Sequence, residues 1–160
     1  MSLSKDEQVR WENFINAIKI DYPLIEFEQS KANSYSSELK KIYYTQKNNF
    51  ISSSSSLLHE LGHLTSGHKK YSSDIELLMM ESEAWQTAKN LSKKYGIKIS
   101  DDHIEDCLDS YRDWLHKRST CPNCSQNGIQ TDKNTYSCLN CSQVWAVSNS
   151  RFCRTYRRSK

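Results

Sequence analysis

Residues 121–141 read CPNCSQNGIQTDKNTYSCLNC, two C-x2-C pairs with thirteen residues between them. Each pair forms a tight knuckle that aims two thiolates at one ion, and four thiolates make a closed tetrahedral site. A segment this small buries too little apolar surface to fold unaided, so it takes its structure from the ion. Gly128 and Asn134 mark turns between short strands such as TYSC and QVWAV. The spacing predicts a strand-and-turn module around a structural zinc held by Cys121, Cys124, Cys138 and Cys141.

Such a module is a zinc ribbon, and the residues before it are of another kind. The 160 residues suffice for one substantial core plus a small appendage. Four Trp, nine Tyr and four Phe supply bulk that a disordered chain lacks. Six cysteines without a secretion signal argue against a disulfide framework. Cys107 is expected buried on its helix, and Cys153 is expected to be a thiol outside the metal set. No apolar run approaches the length of a membrane span, and the opening MSLSKDEQVRWENF has no apolar signal core. A cytoplasmic protein with no membrane partner is expected. From Lys117 onward eight basic residues face one acid, Asp132, a charge of +7 against −4 for the residues before. An acidic body and a basic end face different partners.

In KDEQVRWENFINAIKI, Val9, Phe14, Ile15, Ile18 and Ile20 lie near helical spacing, which predicts an amphipathic helix over 4–19 that Pro23 ends. LIEFEQ and KIYYTQ are short and rich in β-branched and aromatic residues, and read as two strands, a candidate hairpin, across the polar stretch SKANSYSSELK. Ser52–Ser56 read as linker and N-cap before a helix over 56–67. Helices over 74–95 and 101–117 follow, and the pattern changes near Arg118–Thr120. No internal repeat is evident.

The helix over 56–67 carries LLHELGHLTSGH. His59 and His63, four residues apart, share a helical face, with Glu60 beside them. This is H-E-x-x-H, in which two imidazoles bind zinc and the glutamate faces the metal's water. Leu57, Leu58, Leu61 and Leu64 fall on the opposite side for burial. Gly62, between the two histidines, is expected to leave room for an approaching substrate.

A catalytic zinc needs a third protein ligand and an open fourth position. His68 lies five residues after His63 and Gly67 four, which does not match the metzincin spacing. Glu81 and Glu83, in MMESEAWQTAKNL, are the other candidates. Glu81 shares a face with Leu77, Ala84, Ala88, Leu91 and Tyr95, whereas Glu83 keeps company with Met79, Gln86, Thr87 and Asn90. A carboxylate in an apolar stripe needs a partner, and a zinc ion is a good one. Glu81 is therefore the expected third ligand, with Ala84 and Ala88 letting the two helices lie close.

HELGH followed by ESEAWQTA resembles the ImmA/IrrE-type metallopeptidases and the compact glutamate zincins around them, over about residues 40–95. The resemblance implies an N-terminal helix, a small sheet whose edge lines the substrate cleft, and zinc-dependent endopeptidase activity. It also implies His59, His63 and Glu81 as ligands and Glu60 as general base. Four residues after Glu81, where that group usually has a small polar or acidic residue, stands Trp85. KIYYTQ is the expected substrate-holding edge strand. Tyr43, Tyr44, His68, Tyr71 and His103 are all candidates for stabilising an oxyanion. A peptidase domain before a zinc ribbon is also similar to the SprT/Spartan order of parts, without that group's third histidine.

The expected protein is α+β: a compact zincin-like domain of helices plus a small sheet over 1–118, a small C-terminal zinc ribbon over 119–150, and a basic tail over 151–160. It takes two Zn2+ per chain, one catalytic and one structural, and cleaves a regulatory or nucleic-acid-associated protein substrate. The alternative is an inactive zincin scaffold acting as a zinc-ribbon adaptor for nucleic acid or a transcription complex. In RFCRTYRRSK, Phe152 and Tyr156 alternate with Arg151, Arg154, Arg157 and Arg158, which suits phosphates and stacked bases, or equally an acidic protein surface.

Overall fold

A computed structural model describes residues 3–47, 49–149, 151 and 153–159. Among these residues the chain is α+β, with four helices and two small sheets. It divides into two compact units, one of residues 1–69 and 80–104, the other of 70–79 and 105–160. Helix α3 (Asp74–Lys94) and helix α4 (Asp101–Ser119) each contribute residues to both.

In the first unit, α1 (Lys5–Asp21) starts at a capping box: Ser4 accepts from the Glu7 backbone N–H, and Glu7 reaches back to the Ser4 backbone. Its buried face is Trp11, Phe14, Ile15 and Ile18, at spacings of three and four. Val9 and Ile20, expected on that face, lie off this stripe and are exposed. Trp11 packs on Tyr44, and Phe14 meets Phe50 and Tyr95 edge-on.

The first sheet has the order β1-β3-β2, with β1 (Glu26–Gln29) parallel to β3 (Lys41–Tyr44) and β2 (Ser34–Ser36) antiparallel to it. LIEFEQ and KIYYTQ are thus parallel neighbours and not a hairpin. The stretch between them supplies β2, and its crossing to the far side of β3 makes the parallel pairing possible. KIYYTQ is the central strand, so the edges are β1 and β2.

Helix α2 (Phe50–Thr65) begins six residues before the sequence-based start, and Ser52–Ser56 lie inside it. Asn49 is the N-cap, accepting from the Ser52 N–H at 2.9 Å. Three of the serine hydroxyls bond back to the helix itself: Ser53 donates to the Asn49 carbonyl, Ser54 to Phe50 and Ser56 to Ser52. Satisfied in this way, Ser53 and Ser54 are small enough to be fully buried. Leu57, Leu58 and Leu61 complete the core face.

In the second unit a four-stranded antiparallel sheet runs in chain order through β4 (Ile129–Asp132), β5 (Thr135–Ser137), β6 (Val144–Val147) and β7 (Arg157–Ser159). Tyr136 and Trp145 stack at 5.8 Å beside Cys121, Cys138 and Val147. Residues expected as a tail thus supply a strand, with Val147 opposite Arg157 and Trp145 opposite Ser159. Contacts also group residues 70–79 with residues 105–160. The Arg118 guanidinium pairs with Asp74 and donates to the Ser148 and Lys133 carbonyls, and its own carbonyl accepts from Trp145 Nε1 at 2.9 Å. Tyr136 O–H donates to Asp74 at 2.6 Å, and Asp74 N–H donates to Gln130. Arg118 and Asp74 are both almost fully buried.

Candidate metal centres

On α2 Leu57, Leu58 and Leu61 are buried in the core, and His59 and His63 meet Glu81 of α3. His59 Nε2 lies 3.1 Å from His63 Nε2 and 3.1 Å from a Glu81 oxygen, and His63 Nε2 lies 3.4 Å from the other Glu81 oxygen. Three donor atoms on a tetrahedral ion with bonds near 2.0–2.1 Å would be about 3.3 Å apart. The triangle has the size of a metal site, and the two histidines and the carboxylate could hold an ion.

Protonation agrees with that size. Burial pushes the His59 imidazole below its usual range, against the opposing pull of Glu81, so the ring is neutral. Burial acts to raise Glu81, but hydrogen bonds from His59 and His63 outweigh it and bring the carboxyl down to about 2. Those hydrogen bonds are made through the two Nε2 atoms, and a cation held at this point would take the place of their protons. Burial moves Glu60 the other way, up to about 7, despite His63 nearby.

The approach of α2 to α3 depends on Gly62. A Cβ there would collide with the backbone of Ala84, so the missing side chain serves helix packing and not, as expected, clearance for a substrate. Ala84 and Ala88 are fully buried on the facing side of α3.

The surroundings of the two histidines differ. Trp85 stacks on His59 at 4.2 Å, and among the described residues His59 Nδ1 is buried with no hydrogen-bond partner. Tyr35 of β2 stacks face to face on His63 at 4.8 Å. Its phenol is shifted upward by burial, with further contributions from the charges of Glu60 and Glu81. His63 Nδ1 lies 2.9 Å from His68 Nδ1, and His68 Nε2 lies 3.2 Å from a Glu83 oxygen.

Of the candidates for oxyanion stabilisation, His68 is thus buried against His63. His103 meets the Trp85 ring edge-on. Tyr44 is in the core against Trp11, Tyr43 has the Lys41 ammonium over its ring, and Tyr71 is half exposed. Tyr35 was not among them. It lies in the stretch read as a polar connection, and its only local signal is an aromatic between two serines.

In the second unit Cys121 and Cys141 sulfurs are 3.6 Å apart and those of Cys124 and Cys138 3.5 Å apart, close to the roughly 3.8 Å that a tetrahedral zinc with 2.3 Å bonds would set. All four could hold one ion. The knuckles CPNCSQ and CLNCSQ are one short pattern used twice, in a chain with no longer repeat. In each, the serine after the second cysteine takes a positive φ, 61° at Ser125 and 60° at Ser142. Its N–H donates to the first cysteine's carbonyl at 3.0 Å in both. The asparagines cross over: Asn140 bonds to Cys124 and Asn123 to Cys141. The Gln126 backbone N–H, then Asn140, lower the Cys124 thiol to about 6, and Asn123 leads the lowering of Cys141. Such groups stabilise the thiolates that a metal requires.

Cys107 is half-buried, less than its expected burial, and Cys153 is exposed. Arg151 lies over the Tyr111 ring at 3.8 Å and donates to the Ser110 hydroxyl, and Arg157 donates to the Thr120 carbonyl. Arg151, Arg154 and Lys117 border a cleft of about 580 Å³ with Trp114 and Asp113. Arg158 is exposed on β7 and Tyr156 is exposed beside it, while Phe152 lies outside the described residues.

No family model matches the chain, and no curated protein or solved structure matches it. Fold and donor sets define the class: an α+β protein that, among the described residues, has one histidine–carboxylate cluster and one four-cysteine cluster that could hold metal. No helix among the described residues is long and apolar enough to cross a membrane.

Proposed function

We propose that this chain is a zinc-dependent endopeptidase of the glutamate-zincin type, akin to the ImmA/IrrE metallopeptidases, with a structural zinc in its ribbon. The observation that carries the reading is the convergence of His59 Nε2, His63 Nε2 and the Glu81 carboxylate within one coordination radius, with Glu60 next in the chain. Two imidazoles and a carboxylate suit zinc, as four thiolates do. A zinc ion held there would polarise a carbonyl and lower the pKa of a coordinated water to about 7.

The chain's own groups do the rest. Glu60, whose buried carboxyl titrates near neutrality, takes a proton from the attacking water and returns it to the departing amine nitrogen as the C–N bond breaks. An extended peptide would pair with β2, the edge strand whose Tyr35 covers His63. The substrate is a protein, of a regulatory or nucleic-acid-associated kind if the basic ribbon recruits it. The test is peptidase activity across a broad peptide library. Glu60→Gln should keep its metal and lose turnover, and no cleavage by the wild type would sink the enzymatic reading.

A second reading is favoured by the Trp85 stack and the unpartnered His59 Nδ1: an inactive zincin scaffold whose ribbon binds nucleic acid or a transcription complex. Metal stoichiometry separates the two. Two zinc ions per chain, one lost with His59→Ala and the other with Cys121→Ser, support the peptidase. A single zinc dependent only on the cysteines supports the adaptor.

A further inference from the structure

We propose that His68 and Glu83 act as a positioning relay behind His63, fixing that ring with Nε2 bare toward Glu81 and strengthening it as a ligand. The proposal deepens the metallopeptidase reading and rests on it.

The relay begins in the way α2 ends. Gly67 takes φ 74°, the left-handed conformation that glycine adopts freely. Its N–H donates to the Leu64 carbonyl at 3.2 Å, and the His68 N–H donates to the His63 carbonyl at 3.0 Å. These two bonds form a Schellman motif, which brings the residue after the glycine back over the residue three from the helix end. An apolar contact usually fills that place. Here the pair is His63 and His68, and their Nδ1 atoms meet at 2.9 Å.

Proton direction follows from the partners. One of the two facing Nδ1 atoms carries a hydrogen. If it is His63, His68 Nδ1 accepts, and the proton on neutral His68 sits at Nε2, where it donates to Glu83. His63 Nε2 is then bare and faces His59 and Glu81. If the hydrogen were on His68 Nδ1, a neutral His68 would turn a bare Nε2 toward a carboxylate, two acceptors face to face. With both rings neutral and an ion held between His63 Nε2 and Glu81, the first assignment gives every nitrogen of His63 and His68 a partner of opposite role.

The consequence is an asymmetric site. A ligating imidazole that donates its other N–H to a carboxylate-terminated chain is held in orientation and made more basic, and loss of such partners costs about 10–100-fold in metal affinity. His63 has this support, whereas His59 has the Trp85 ring and no partner for Nδ1 among the described residues. His68 is 8% exposed, so the chain of bonds is shielded from water until Glu83 at its outer end.

The test uses the full chain with its cysteine site loaded first, and Zn2+ and Co2+ alone as probes of the histidine site in chelator competition. His68→Phe should bind each metal about 10–100-fold more weakly and shift the visible bands of bound Co2+. His68→Gln, which can both accept and donate, should recover part of the loss, and Glu83→Gln should lose less than His68→Phe. Gly67→Ala should resemble His68→Phe although it removes neither ring. A metal-independent readout is the His63 Nδ1–H proton resonance, expected in wild type and absent in His68→Phe. Wild-type affinity and cobalt bands in a folded His68→Phe overturn the relay alone. A wild type that binds neither metal at this site overturns the metallopeptidase reading, and the relay with it.

Discussion

The carbonyl of Ala84 occupies the space that a side-chain carbon on Gly62 would need. Because both helices at that crossing carry residues of the histidine–carboxylate cluster, the contact sets how far Glu81 stands from His63. Gly62→Ala should force α2 and α3 apart, destabilising the protein by about 1–3 kcal/mol as overpacked cores do. Metal binding at the histidine site should weaken with it. Denaturant unfolding of the metal-free protein and chelator competition measure the two effects separately. An unchanged midpoint would refute the packing role.

Asp74 and Arg118 should be the most sensitive charged positions of the second unit. Removing one partner of a buried pair leaves the other charge without compensation, at a cost of about 3–5 kcal/mol. Arg118→Ala and Asp74→Ala are each expected to unfold the second unit at lower denaturant. Arg118→Met with Asp74→Leu should be milder than either single change. Additive losses in this cycle would contradict the pairing.

Cys121→Ser removes one of the four clustered sulfurs and a buried side chain from the small core of the second unit. The β4–β7 amides should lose their dispersion in NMR spectra, and strong chelators should do the same to the wild type. A ribbon that keeps its dispersion without metal would count against an ion-held fold.

The acid limb of stability should depend in part on Asp21. Hydrogen bonds from Lys94 and then Tyr95 lower its pKa. A folded-state pKa below the unfolded value, near 3.9, means that the unfolded chain binds more protons in acid. The stabilisation is present above that unfolded value and is lost as pH falls through the folded one. Asp21→Asn should therefore melt below wild type near neutrality, and the gap should close below about pH 4. A gap of constant size down to pH 3 would exclude the linkage.

If the basic end binds nucleic acid, Arg154 and Arg158 are the informative positions. Arg151 and Arg157 already hold the fold through Ser110 and Thr120, and truncation after Ser150 would remove β7. Replacing an arginine that neutralises a phosphate should reduce the log–log salt slope by about 0.7–0.9. Titrating labelled single-stranded and duplex oligonucleotides at several salt concentrations reads the slope, and no binding at low salt would point to an acidic protein partner.

What the sequence determined by itself is what repeats along a single backbone. His59 and His63 share a face because a helix turns every 3.6 residues, and Glu81 separates from Glu83 because two residues along a helix is just over half a turn. The cysteine knuckles were legible for the same reason, since each closes within six residues. Tertiary structure decided whatever joins residues through space. Ser52–Ser56 read as linker because their burial depends on which face α2 turns to the core. KIYYTQ became central because the segment before it supplied β2, which also set Tyr35 on His63. His68 was one of several candidates for stabilising an oxyanion until a left-handed glycine folded it back on His63. Asp74 and Arg118, 44 residues apart, have no shared period to announce them. Local periodicity places a side chain on a face, but only packing decides what that face meets.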